Sequence, residues 1–200
     1  MNLADKVTSS RLVLAPVFFI IYLLPNFFPS VFAADPSWTV PVLWVLFIVS
    51  EISDLLDGII ARKRGEMTDF GKLFDPFADT LTQITYFFCF VIDGILPPLL
   101  FLAVLYREFS ILFIRNLMLR KGATLGARLI GKIKTNIYIL AGGLALLASS
   151  VIRLGLGENI YRTLTIAATA VFIISVIAAI ISFFDYIRVY RKAPARETTK

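Results

Sequence analysis

Polar residues in this chain come in short clusters that separate long apolar runs. The runs predict six helices, over residues 12–24, 40–64, 70–92, 96–120, 128–152 and 161–190, the first extending into the turns before it. Pro25 and Pro29 are expected to end the first helix, and Pro76, inside the third, to bend or start it. Ahead of the first run, Asn2, Asp5, Thr8 and Arg11 are polar at helical spacing, while Leu3 and Val7 offer an apolar side. Residues 2–10 therefore read as a short amphipathic segment lying in a membrane interface. The expected architecture is all-α: an integral membrane protein with six transmembrane helices and a short N-terminal amphipathic juxtamembrane helix. Residues 1–190 form one membrane domain in this reading, and residues 191–200 a basic tail that touches anionic lipid.

Composition supports the membrane assignment. Hydrophobic residues make up 58% of the 200 positions and charged residues only 17%, which excludes an ordinary soluble domain. The net charge of +6 could point to nucleic acid, but its distribution argues against that partner. Of the 20 Lys and Arg, all but Arg153 and Arg162 fall at the termini, in the second-to-third connection or in the fourth-to-fifth region. With six spans these lie on one side, and the positive-inside rule makes that side cytoplasmic. Both termini and the acidic stretch described next are thus expected at the cytoplasmic face of the cytoplasmic (inner) membrane. The polar start, MNLADKVTSSR, does not read as a cleavable signal peptide. The lone Cys89 allows no intramolecular disulfide.

The informative stretch is residues 54–79. Asp54 and Asp57 are three apart, with Gly58 and Ala61 following on the same helical face. Asp75 and Asp79 are four apart, with Gly71 four before Asp75, again one face. Two helices joined by a short loop, about residues 63–68, can set these faces opposite each other. Carboxylates converging in apolar surroundings repel, so divalent cations must neutralise them or some must hold protons. The donors are all oxygen and the chain has no His, which argues against zinc and for Mg²⁺ or Mn²⁺. Gly58 and Ala61 leave the face bare for a phosphate or a flat group, and Arg62 beside it suits phosphate oxygens. Glu66 and Asp69 read as ordinary loop charges.

A second cluster follows. Arg107 and Glu108 lie inside an apolar run, and Arg115 shares a face with Glu108, so these charges pair with each other or line a polar cavity. Arg128, Lys132 and Thr135 share a face; Lys134 points away from Lys132 if the helix is regular. Arg107, Arg115, Lys132 and Lys134 are candidate ligands of an anionic group, whereas Arg120 and Lys121 serve topology.

The sequence Asp54-Leu-Leu-Asp57-Gly58-Ile-Ile-Ala61-Arg62, then Gly71-Lys-Leu-Phe-Asp75-Pro-Phe-Ala-Asp79, resembles the signature of the CDP-alcohol phosphotransferases, with every signature position present. Asn2, Thr8 and Arg11 resemble the family's N-terminal pattern, although Ala4 and Asp5 stand where relatives often have Pro and Asn. Arg107-Glu-Phe-Ser through Arg115, Gly131-Lys-Ile-Lys-Thr135 and Asp185-Tyr186 resemble the family members that make phosphatidylglycerophosphate; Thr80 departs from their usual Lys. The resemblance implies transfer of a phosphatidyl group from CDP-diacylglycerol to sn-glycerol 3-phosphate, with release of CMP, by a homodimer among membrane lipids. It implies two Mg²⁺ or Mn²⁺ ions held by Asp54, Asp57, Asp75 and Asp79, with Asp79 a ligand of the second ion or the general base. Thr8, Gly58, Ala61, Arg62 and Gly71 would then meet the CDP-lipid, and Arg107, Arg115, Lys132 and Lys134 the acceptor phosphate. Two rival readings stand beside it: the same chemistry with another acceptor (inositol phosphate, phosphatidylglycerol or another alcohol), and a divalent-cation transporter.

Overall fold

A computed structural model describes residues 3–28, 35–64, 71–120 and 129–192, and within these the side chains of all but 3–7, 55–64, 72, 120, 129–133 and 192. The described residues form six α-helices and one short 3₁₀ turn, with no strand among them. The helices are α1 (Leu3–Phe27), α2 (Thr39–Arg64), α3 (Gly71–Ile92), α4 (Pro98–Arg120), α5 (Leu129–Arg153) and α6 (Glu158–Lys192), the 3₁₀ turn being Pro36–Trp38. Their bounds follow the apolar runs to within a few residues. Glu158, in the first turn of α6, complements the helix dipole and begins that helix earlier than the apolar run alone indicates. The expected loop of residues 63–68 is shortened from its start, because α2 continues to Arg64; residues 65–70 and the tail 193–200 lie outside the described residues.

Two expectations change. The N-terminal segment is not a separate interfacial helix but the first turns of α1, which runs unbroken from Leu3 to Phe27. Thr8 and Arg11 are fully buried, so the polar side of this segment faces the bundle interior, where acidic groups await it. Pro25 does not end α1 either: it sits in the last turn, and Phe28 N–H still donates to Leu24 O at 3.1 Å. The expected span number is met in part: among the described residues, four helical stretches are long and apolar enough to cross a membrane, Thr8–Phe27, Pro36–Asp54, Lys134–Arg153 and Glu158–Arg191. α3 and α4, at 22 and 23 residues, reach about 33–35 Å, enough to cross, and both carry the charged groups described below.

The bundle closes around aromatic rings from five helices. Phe18 of α1 lies 4.4 Å from Tyr86 of α3, Phe47 of α2 5.4 Å from Tyr86, and Phe87 of α3 4.9 Å from Phe172 of α6 and 5.3 Å from Tyr138 of α5 (centroid distances). α5 and α6 share the most extensive helix contact, and both bury small residues, Ala141, Ala145 and Ala148 on α5 and Ala168 and Ala179 on α6. The outward faces remain apolar, as with Val45, Ile48, Val49 and Ile52 on α2 and Ile173, Ile174, Ile177 and Ile181 on α6, which suits contact with lipid.

At the end of the bundle away from the signature aspartates, two helices stop on glycine. Gly94 (φ 70°) follows α3 and Gly155 (φ 65°) follows α5, each in the left-handed region where a side chain would be strained. The next residues, Ile95 and Leu156, reach back to Phe90 O and Val151 O at 2.9 and 3.0 Å, closing both helix ends. Arg153 joins three elements there: it donates to Thr39 Oγ1 and Tyr22 O, both at 3.0 Å, and to Ser149 Oγ at 3.1 Å, and stacks over the Tyr22 ring at 4.5 Å. Asp93, 3.9 Å from Arg153, accepts the Tyr22 hydroxyl at 2.6 Å. This clamp accounts for one of the two cations that the charge pattern put apart from the rest.

Gly142 of α5 is held by packing. A Cβ at this position would stand 3.4 Å from the Phe47 ring and 3.9 Å from Phe87. Gly142→Ala should therefore leave thermal stability in detergent unchanged or slightly raised. Gly142→Leu should lower it by about 1–3 kcal/mol through overpacking, measured as the shift of the melting curve.

Candidate active site

The signature helices do not meet as a simple hairpin. Among the described residues, α1 packs along both α2 and α3, while α2 and α3 have little backbone contact with each other. α1 is a wedge between the two acidic helices, which would otherwise bring like charges face to face. Its inward stripe, Thr8, Arg11, Ala15, Phe18 and Tyr22, recurs at three- and four-residue steps and is buried throughout. The lower part of the stripe is apolar and enters the aromatic core. The upper part is polar and enters the acidic site.

There Thr8 Oγ1 donates to Asp75 Oδ1 at 2.9 Å. One atom, Arg11 Nη1, donates both to Asp54 Oδ1 at 2.6 Å and to Asp79 Oδ1. Arg11 is 2% exposed, whereas the two aspartate side chains retain 38% and 35%, so the carboxylates are open to a ligand on the side away from the guanidinium. Beside them a cavity of about 10 Å³ is lined by Arg11, Ser50, Glu51, Asp54, Asp79, Thr82 and Gln83. Thr82 Oγ1 in that lining is buried and has no hydrogen-bond partner among the described residues. Gly71 is buried at the start of α3, one turn before Asp75.

These groups fit a hard divalent cation by their chemistry. Asp54 and Asp79 converge on one cationic atom, Asp75 lies one turn from Asp79, and Thr82 adds an unused oxygen. Among the described residues, no three acidic or other metal-ligating groups stand close enough to form a complete ion site. Asp57 lies three residues beyond Asp54 on α2, and its side chain, like those of Ala61 and Arg62 and the surroundings of Gly58, falls outside the described residues.

The second cluster is sorted differently from the sequence expectation. Glu108 pairs not with Arg115 but with its neighbour Arg107 and with Lys134 of α5. Arg107 Nη1 donates to both Glu108 oxygens at 2.9 Å, Lys134 Nζ to Oε1 at 2.7 Å, and the Tyr138 hydroxyl to Oε1 at 3.1 Å. The remaining Arg107 nitrogens donate to Ala179 O and Ser182 Oγ on α6, each at 3.1 Å. Arg107, Glu108 and Lys134 are all buried. Removing one member of such a group leaves an uncompensated buried charge, a cost of about 3–5 kcal/mol. Arg107 thus fastens α4 to α6. Arg115 turns to α6 instead, where Nη2 approaches the Tyr186 hydroxyl at 3.4 Å and the guanidinium lies 5.9 Å from that ring; its Nε has no partner among the described residues. α5 is regular from Leu129, so positions 132 and 134 diverge; Lys134 is turned to Glu108, and the Lys132 side chain is outside the described residues.

Sequence reasoning missed Arg11 as a site residue. Its signal was register: Arg11 lies three after Thr8 and seven before Phe18, on the stripe that becomes the buried face of α1. Glu51, one turn before Asp54, was missed as well, because it precedes the signature.

Comparison with known proteins identifies the family. The profile of the CDP-alcohol phosphatidyltransferase family matches residues 1–187. A Treponema pallidum protein named CDP-diacylglycerol--glycerol-3-phosphate 3-phosphatidyltransferase is 37% identical over 193 residues, covering 95% of this chain and 89% of its own length. A Bacillus subtilis protein of the same name is 34% identical, covering 70% of this chain and 74% of its own. A Mycobacterium tuberculosis protein named probable phosphatidylglycerophosphate synthase is 31% identical, covering 93% and 80%. With a profile match over nearly its whole length and relatives of this identity and coverage, the chain belongs to the CDP-alcohol phosphatidyltransferase family.

Proposed function

We propose that this protein transfers the phosphatidyl group of CDP-diacylglycerol to sn-glycerol 3-phosphate, giving phosphatidylglycerophosphate and CMP. The convergence of Asp54 and Asp79 on one cationic centre carries the chemistry, and the near full-length likeness to relatives named for this acceptor supports the choice of substrate. We further take all six helices as spans, with both termini and the aspartates at the cytoplasmic face. The lengths of α3 and α4 and the one-sided Lys and Arg distribution support that arrangement. A homodimer, implied by the family resemblance, belongs to the same proposal.

In this mechanism Asp54, Asp57, Asp75 and Asp79 would hold two Mg²⁺ or Mn²⁺ ions. Bound there, the ions supply Lewis-acid stabilisation of charge on the diphosphate. Thr8 holds Asp75 in place through its hydroxyl. Gly58, Ala61 and Gly71 leave room for the nucleotide, and Arg62 suits its phosphates. Asp79 accepts the proton of the acceptor hydroxyl as that oxygen bonds to the lipid-bearing phosphorus. The bond from this phosphorus to the bridging oxygen breaks, and CMP leaves with the electron pair. Arg115 and Lys132 are the acceptor-phosphate ligands in this account. Arg115 is half-buried and has an unused nitrogen, while Arg107 and Lys134 act from behind by holding Glu108. The acyl chains stay in the bilayer, so the reaction runs at the interface.

The test is CMP release by purified protein in detergent with CDP-diacylglycerol and Mg²⁺, each acceptor supplied alone. Release with glycerol 3-phosphate, abolished by chelation and restored by Mg²⁺, is expected. Release with inositol phosphate alone would overturn the acceptor, and no release with any alcohol would overturn the transferase reading. Asp79→Asn should lower kcat by about 10²–10⁴-fold while leaving CDP-lipid binding nearly intact, as read by single-turnover kinetics and a separate binding assay.

A further inference from the structure

The acidic site holds a cation of its own. Arg11 enters from α1, is 2% exposed, and brings one nitrogen to an oxygen of Asp54 on α2 and an oxygen of Asp79 on α3. Nothing in phosphatidyl transfer requires a buried arginine between two metal-binding carboxylates. The adjoining cavity, about 10 Å³, is about the size of one water and is lined by Arg11 together with Asp54 and Asp79. A cation bridging those oxygens at about 2.0–2.1 Å would occupy the space in which Nη1 now lies.

We propose that Arg11 is the exchangeable counter-ion of the aspartate site, competing with the divalent cation for the Asp54–Asp79 pair. The inference rests on the reading that these aspartates bind such a cation. Arg11 neutralises the pair when no divalent ion bridges it, which keeps α2 and α3 from repelling each other across α1. Binding of a divalent ion to the pair would require the guanidinium to withdraw, so the affinity observed would be the intrinsic affinity reduced by the Arg11 contact. Arg11 is in this sense a positioning residue for the metal-free fold and a brake on metal loading. A guanidinium serves better than an ammonium because its planar fork can address two carboxylates at once.

The experiment is Mn²⁺ binding to wild-type protein and Arg11→Met, without substrate, read from the free-Mn²⁺ electron paramagnetic resonance signal. Melting curves in chelator and in saturating Mn²⁺ accompany it. Competition predicts that Arg11→Met binds Mn²⁺ about tenfold or more tightly than wild type, melts lower in chelator, and gains more from Mn²⁺. Equal or weaker binding by Arg11→Met would overturn the proposal. Should Arg11→Met fail to fold, wild-type protein labelled with ¹⁵N-arginine gives the answer by nuclear magnetic resonance. The guanidinium resonance that is missing from Arg11→Lys must shift when Mg²⁺ is added, and a resonance that stays in place overturns the proposal. Wild-type protein that binds no Mn²⁺ and releases no CMP would remove the transferase reading as well. Normal binding and CMP release with unchanged affinity in Arg11→Met would remove only the role of Arg11.

Discussion

Carboxylates placed inside an apolar bundle must be neutralised, and the rest of this structure is arranged around that requirement. Asp54 and Asp79 come from helices that hardly touch, and the same guanidinium meets both. α1 brings it, wedged between α2 and α3, and the apolar continuation of the same stripe anchors the wedge through Phe18 and Tyr22. One helix therefore sets both the separation of the acidic helices and the charge between them. At the far end Arg153 ties α1, α2 and α5 together, so the wedge is fixed at both ends.

A second buried charge group solves the same problem by a different route. Glu108 collects Arg107, Lys134 and Tyr138, joining α4 and α5, and Arg107 extends the connection to α6. These contacts are fully desolvated and mutually satisfied, which makes them poor candidates for direct anion binding and good ones for holding Arg115 near α6. The two clusters explain the charges that α3 and α4 carry: Asp75 and Asp79 of α3 turn to α1, and Arg107 and Glu108 of α4 turn to α6 and α5.

The helices were legible in the sequence because long apolar runs broken by polar clusters leave little choice of element, and even the bounds of α2 and α3 come out within a residue or so. The aspartate spacing was legible for the same reason: i, i+3 and i, i+4 relations are local. Tertiary contact was not. Thr8 and Arg11 looked like the polar side of an interfacial helix, since a helical period says which residues share a face and not what that face meets. Glu108 and Arg115, also on one face, looked like partners. Arg107 and Lys134 took Glu108 instead, one adjacent in sequence and the other on a distant helix. Among the described residues four helical stretches are recognisable as spans by length and composition, and α3 and α4, which carry inward-turned charges, are not among them.

The central claim, that aspartates from two helices held apart by α1 form a divalent-cation site, is tested most directly by counting the ions bound. Equilibrium dialysis of purified wild-type protein against Mn²⁺ should give two ions per chain, with that number reduced in Asp54→Asn and in Asp75→Asn protein that melts as a folded bundle. Binding of no Mn²⁺ by the wild type, or the same number in all three proteins, would contradict it.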